Sequence, residues 1–167
     1  MDNLVPLRYP DDADRVLELC QRAADYVSVE YQRQPDAEIA RALLCDAPPQ
    51  VPPSQIYALG SPRDDGSLNA FVTFLKGYYA PDEWYMGLLL LDPAIRGQGL
   101  GARMAQHVIG LARADGAPCI RVTPLDVNPK GQAFWQSQGF VLERSVTPDD
   151  GLLRHIHIMT FAKKDIA

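Results

Sequence analysis

Between Leu88 and Gly110 the chain reads LLLLDPAIRGQGLGARMAQHVIG, and Gly97, Gly99 and Gly101 fall within six residues of it. Four leucines lead in like a buried strand, and Leu100, Met104, Val108 and Leu111 lead out at helical spacing. The glycines therefore stand where a strand hands over to a helix. A helix start leaves its first N–H groups without partners and carries partial positive charge. Glycine there lets the backbone turn sharply and come close to a ligand, so the amides can gather on an anion such as a pyrophosphate. The Gly-Lys-Ser/Thr ending of a phosphate loop is missing. The segment Gly97 to Ala102 formally meets a dinucleotide fingerprint, with Asp126 available as a ribose ligand. Too little chain follows it for the second half of such a fold. A turn without a ligand would account for Gly-x-Gly alone, but the strand before it and the amphipathic helix after it favour an anion site.

The other chemistry-bearing residues are scattered. His155 and His157 alternate on one face of RHIHIM, and without a third ligand they make a poor metal site, so no metal is expected. Cys20, Cys45 and Cys119 are odd in number and set among apolar residues, which suits reduced, packed thiols.

These residues need elements to position them. NLVPLRY reads as a short strand, and Asp11 or Asp12 can cap a helix with Val16, Cys20, Ala23 and Val27 on one face. A shorter helix follows Asp36, and the proline-rich DAPPQVPPS is a stiff connection. QIYAL, LNAFVTFLKGYY and WYMGLLLLD are strands of an antiparallel meander. The helix after the glycines closes at Gly116, and CIRVTPL follows as a strand, which implies a parallel pair and a right-handed crossover. Pro124 inside that strand cannot donate to a ladder, so pairing should fail near it. Asn128 then Pro129 mark a helix start, Gly139 marks its end, and FVLERSVT and LRHIHIMTF form a last hairpin. The order β-α-α-β-β-β-α-β-α-β-β describes an α/β domain with a mixed, mostly antiparallel seven-stranded sheet and helices on both faces.

At 167 residues the chain is expected to be one domain over residues 1–167. A net charge of −5 gives no general support for a nucleic-acid partner. No apolar run approaches the roughly 20 residues needed to cross a bilayer. The N-terminus is acidic and lacks an apolar stretch, so no signal peptide and a cytoplasmic location are expected.

LDPAIRGQGLGARM resembles the acyl-CoA-binding signature Q/R-x-x-G-x-G/A of the GNAT superfamily of N-acyltransferases, mapped onto Arg96, Gly99 and Gly101. NPKGQAFWQSQGF (Asn128 to Phe140) resembles its second signature, in the right order and about 30 residues on. The element order is similar along essentially the whole chain. The resemblance implies acetyl-CoA as co-substrate and direct transfer to an amine of a small molecule or peptide. It implies that Arg96, Gly97, Gln98, Gly99, Gly101 and Ala102 hold the pyrophosphate. Leu89, Leu91, Asn128 and Trp135 would line the pantetheine arm between two splayed strands, and an amide near Leu89 or Leu90 would stabilise the oxyanion. A homodimer is compatible with it.

Two chemical jobs are left. An ammonium must lose a proton before it attacks, and the resemblance points to a carboxylate on the strand before the glycines. Glu83 is the one well placed, with Tyr85 on its face; an ordinary solvated hairpin residue is the alternative. The tyrosine that commonly protonates the departing thiolate is replaced by Trp135, whose indole donates but is no acid at neutral pH. Water or Tyr78, Tyr79 or Tyr85 would substitute, or the thiolate would leave unaided. Tyr26, Glu30, Tyr31, Tyr79, Trp84 and His155 are expected around the acceptor. A CoA-binding sensor without turnover is the reading from another class.

Overall fold

The computed structural model describes residues 3–162. Its seven strands are β1 (Val5–Pro6), β2 (Ile56–Pro62), β3 (Leu68–Lys76), β4 (Trp84–Leu91), β5 (Cys119–Val122), β6 (Val141–Val146) and β7 (Arg154–Thr160). They form one sheet in the order β1-β2-β3-β4-β5-β7-β6, antiparallel throughout except where β4 meets β5. The helices are α1 (Ala13–Arg22), α2 (Ala24–Tyr31), α3 (Ala37–Cys45), α4 (Leu100–Ala114) and α5 (Pro129–Ser137). The expected fold class and strand order are therefore present.

Strand alternation sorts the apolar residues to two sides. Ala70, Val72 and Phe74 meet Met104, Val108 and Ala112 of α4 and Trp135 of α5, while Phe71, Leu88 and Leu90 meet Val16, Leu19, Ile39 and Leu43 of α1 and α3. Asp36 caps α3 by accepting from the Ile39 N–H at 2.9 Å, and Asn128 caps α5 by accepting from the Gly131 N–H at 2.9 Å. Asp12 precedes α1 but its carboxylate takes the Arg8 N–H and Arg15 instead of a helix amide. The single helix expected across Val16 to Val27 is broken at Ala23, so α2 sets off in its own direction. Arg22, at the break, reaches Asp92 and the Leu68 carbonyl.

One irregularity shapes the functional region. Thr73 pairs with Leu88 but Phe74 pairs with Met86, which leaves Gly87 as the extra residue of a β-bulge. A Cβ at Gly87 would lie 3.1 Å from the Thr73 hydroxyl. The bulge resets the alternation of β4: Trp84 and Met86 face α4 before it, and Leu88 and Leu90 face α1 after it. Pairing of β4 with β5 covers only Trp84 with Ile120 and Tyr85 with Arg121. Beyond Tyr85 the two strands part. Pro124 lies just past the end of β5 rather than inside it.

Candidate active site

The parting of β4 and β5 opens a groove of about 850 Å³. Leu89, Leu90 and Leu91 form one wall, Asn128, Phe134 and Trp135 of α5 form the other, and Arg96, Gly97, Gly99, Gly101 and Ala102 close one end. Gly97 (φ 77°) and Gly99 (φ 86°) adopt the left-handed conformation that a side chain would disfavour. Gly99 is the N-cap of α4 and supplies no capping side chain. Arg103 N–H bonds the Gly99 carbonyl at 3.1 Å, while the six amides ahead of it, residues 97–102, have no acceptor among the described residues. Six unanswered N–H groups at the positive end of a 15-residue helix make a site for an anion. Arg96 and Lys130 add positive charge to the groove, and Asp25 is the one carboxylate on its wall among the described residues. Asp25 grips the Arg96 guanidinium through both oxygens, at 2.6 and 3.1 Å.

The turn itself is anchored by Asp92, a carboxylate buried at the end of β4. It accepts from Arg22 at 2.6 Å, Arg63 at 2.8 Å and the Ala94 N–H at 2.9 Å. Burial pushes its carboxyl up, but these donors outweigh burial and hold it below the usual value.

A second cavity, of about 360 Å³, lies on the α1–α3 side of the sheet. Tyr85, Gly87 and Leu88 form its floor, and Glu30, Tyr31 and Leu43 lie on its walls. The cavities are neighbours twice over: β4 passes from one at Leu88 to the other at Leu89, and α2 presents Tyr26 to the groove and Glu30 to the cavity. The Tyr26 hydroxyl donates to Glu30 Oε2 at 3.5 Å, and Arg154 holds Glu30 Oε1 at 2.6 Å. Burial, joined by the charge of Glu30, pushes the hydroxyls of Tyr26 and Tyr31 well up, so both stay protonated at neutral pH.

The sequence model of the acetyltransferase (GNAT) family matches residues 16–140. The chain belongs to this family. No curated protein matches it by sequence. Among solved structures, it is similar to an acetyltransferase from Thermus thermophilus (TM-score 0.73, 22% identity, 95% of this chain and 96% of that one). It is also similar to the ribosomal-protein-S18-alanine N-acetyltransferase from Escherichia coli (0.69, 17%, 100% and 99%). A third likeness is to aminoglycoside acetyltransferase AAC(6')-Ib in complex with coenzyme A (0.74, 16%, 94% and 93%). At these identities the likeness is one of fold.

Within this GNAT domain, the residues singled out for the two signatures come together in the groove, except Gln98. Its side chain is exposed and donates to the Ala94 carbonyl at 3.4 Å, because the left-handed glycines on either side turn it out of the groove. Trp135 packs edge-on against Phe134 and Phe140 with one side on the groove. Tyr26, Glu30 and Tyr31 lie on helical walls of the two cavities and not in an open loop.

Four expected residues lie elsewhere. Glu83 is bound to Arg121, a guanidinium buried between it and Glu143, so its carboxylate is committed to an ion pair and lines neither cavity. Trp84 faces the opposite side of the sheet from Tyr85, as alternation requires. There it stacks on Phe74, with centroids 5.6 Å apart, and its indole donates to Asp115 at 3.1 Å. Tyr79 covers Arg121, its ring centroid 4.6 Å from the guanidinium, and reaches the cavity only through contact with Tyr78 and Tyr85; burial pushes its hydroxyl up to about 12. His155 is engaged by Asp126 and Ser145, each at 2.7 Å, outside both cavities.

Tyr85 does sit at the junction. Its hydroxyl shares a 2.7 Å hydrogen bond with Thr123, and burial pushes its pKa up although that bond works the other way. Burial likewise pushes the thiols of Cys20 and Cys119 up, to about 12 and about 11, which leaves them protonated and unreactive. No three His, Cys, Asp or Glu side chains among the described residues are grouped to hold a metal ion. No helix there is long and apolar enough to cross a membrane. Sequence reasoning missed Asp25, Lys130, Phe134 and Arg154. Asp25 and Arg154 carry no local signal, whereas Lys130 and Phe134 lie within the second signature and were legible there.

Proposed function

We propose that the protein transfers an acetyl group from acetyl-CoA directly to a primary amine. The observation that carries this reading is the run of unpaired amides over residues 97–102, of which Gly97, Gly99, Gly101 and Ala102 line a groove that ends beside a second cavity. Residues 97–102, with Arg96 and Lys130, would hold the pyrophosphate, and Asn128, Phe134 and Trp135 would flank the pantetheine arm. The β5-facing edge of β4 has no ladder partner past Tyr85, so its amides near Leu89 and Leu90 are available to a carbonyl oxygen that gains charge.

The amine enters from the α2–α3 side. Glu30 is the carboxylate of the cavity that stands at the junction, and among the described residues its Oε2 has only the long contact from Tyr26. We assign it to receive the ammonium and orient it, with one proton passing to Oε2 or to water as attack begins and a second passing from the nitrogen of the new N–C bond to water as the amide forms. Glu83 is tied to Arg121 and is left out of this step. The thiolate, with a pKa of about 8.5, leaves without an acid, which suits Trp135 in place of a tyrosine.

A sensor that binds CoA without turnover is the second reading, favoured by the same Trp135 and by the engagement of Glu83. Melting curves with acetyl-CoA, CoA and NAD, for wild type and Gly99→Glu, test the groove. A ligand at a hundred times its Kd should stabilise by about 2.7 kcal/mol, on the order of 5–10 °C here. A shift with the CoA species that Gly99→Glu removes, together with amine-dependent thiol release, supports the transferase. The shift without thiol release supports the sensor, and no shift overturns both.

A further inference from the structure

We infer that the acceptor is a small amine with one positive charge on a compact apolar or aromatic body; this rests on the acetyl-transfer reading above. The cavity has about 360 Å³, near the low end of the roughly 300–1,000 Å³ found for small-molecule pockets. That suits a body of one ring or a short alkyl chain better than a peptide segment. Away from the junction its wall is Leu43, Pro48, Ile56 and Leu75, with Tyr31 and Tyr78 supplying rings. The hydroxyls of both tyrosines have no partner among the described residues, so the only free polar groups there are neutral.

The distribution of charge decides the class. Among the described residues two carboxylates reach this cavity, Glu30 and Asp46. Asp46 is held by both terminal nitrogens of Arg41, at 3.0 and 3.4 Å. Glu30 gives one oxygen to Arg154 and keeps Oε2 at the junction. A single ammonium can therefore be answered, beside the groove where the acetyl group must arrive. A second ammonium on the same molecule would lie among Leu43, Pro48 and Ile56 with no uncommitted carboxylate, and an unpaired charge in apolar surroundings is strongly disfavoured. Spermidine-like acceptors are thus selected against by the far wall and not by the catalytic end.

The test uses the whole protein with acetyl-CoA and four acceptors: 2-phenylethylamine, hexylamine, spermidine and a tetrapeptide with a free N-terminus. Thiol release gives kcat/KM for each, and melting curves of the CoA-loaded protein give binding of the same four. The two monoamines should exceed spermidine and the peptide at least tenfold. Ile56→Asp, which places an unpaired carboxylate at the far wall, should shift the phenylethylamine-to-spermidine ratio toward spermidine at least tenfold and leave the CoA-induced melting shift unchanged. A preference for spermidine or peptide, or a ratio that Ile56→Asp does not move, overturns the inference. If CoA stabilises the protein but no amine releases thiol, the transfer reading fails and binding decides the class. Stronger stabilisation by phenylethylamine than by spermidine then sustains it, and the reverse order, or no stabilisation by any amine, overturns it.

Discussion

Alanine at Gly99 and alanine at Gly101 should move stability in opposite directions, although the two glycines flank a single residue. Gly99 holds φ at 86°, and a Cβ there would also lie 3.1 Å from an Arg103 guanidinium nitrogen. A non-glycine residue in that region costs roughly 1–2 kcal/mol. Gly101 lies in the first turn of α4 without a positive φ, and its Cβ would meet both Leu91 methyls at 3.4 Å, an ordinary contact. Alanine is favoured over glycine in a helix by about 0.5–1 kcal/mol. For a domain of this size 1 kcal/mol moves Tm by about 2–4 °C. Gly99→Ala should therefore lower Tm by about 2–8 °C, and Gly101→Ala should raise it by about 1–4 °C. Ligand binding separates the roles further. Gly101→Ala should keep CoA affinity, whereas Gly101→Leu drives a branched side chain toward Leu89 and Leu91 on the groove wall and should weaken it at least tenfold, or about 1.4 kcal/mol. Calorimetric melts with and without CoA, and titration calorimetry on each variant, read both quantities. A Gly101→Ala variant destabilised by about 1 kcal/mol or more, or a neutral Gly99→Ala, would refute the division of labour between strained turn and open groove.

Asp25→Asn should tighten CoA up to about fivefold at low salt, since the pair with Arg96 is exposed (60% and 39%) and worth at most about 1 kcal/mol; the gain should vanish near 1 M salt, where charges are screened within about 3 Å, and weaker binding in a titration at both salts would count against it. Glu83→Gln should lower Tm and leave the pH profile of kcat unchanged, because the carboxylate serves Arg121; a tenfold loss of kcat with the acidic limb removed would instead make Glu83 the base. His157 is buried with neither ring nitrogen partnered among the described residues, and burial, helped by His155, holds its pKa below the usual imidazole value. The unfolded chain then binds the extra proton, so stability should fall as pH drops below about 6.5; urea melts of His157→Phe should show this part of the slope gone, and an unchanged slope would assign it elsewhere.

The groove was readable because both of its walls are written in local patterns. The leucine run, the glycines at the head of α4 and the Asn-Pro start of α5 each declare an element end, and the element ends are what meet there. The acceptor side was harder, since it is built by contacts between distant segments. Strict alternation along Glu83–Tyr85 correctly puts Tyr85 on the face of Glu83 and Trp84 on the other, yet an aromatic pair in sequence invites placing both in one pocket. The bulge at Gly87 then shifts the register, so Leu88 and Tyr85 share a face that counting by twos would deny them. Gly87, isolated inside WYMGLLLL, is the one local mark of that extra residue, since a lone glycine in a strand pattern often sits at a bulge.

Asp25 and Arg96 are 71 residues apart, and neither element announces the other. Yet their pairing gives α2 a meaning that its weak apolar pattern did not suggest. That helix touches the groove through Asp25 and Tyr26 and the second cavity through Glu30 and Tyr31. Val27 is its one fully buried residue, Tyr26 and Tyr31 pack against the same core, and ion pairs and hydrogen bonds to Arg96, Arg154 and, from Gln32 at its end, the Asp150 carbonyl hold it further. Under the proposed role of Glu30, an anion that competes for Arg96 would release one of these anchors on the helix that is to orient the amine. Filling of the groove and the position of Glu30 would thereby be linked. Coupling of this kind requires acetyl-CoA to change the KM of the amine in wild type and to do so less in Asp25→Asn, where the anchor is already lost. An equal effect in both proteins would show that α2 does not couple the two cavities.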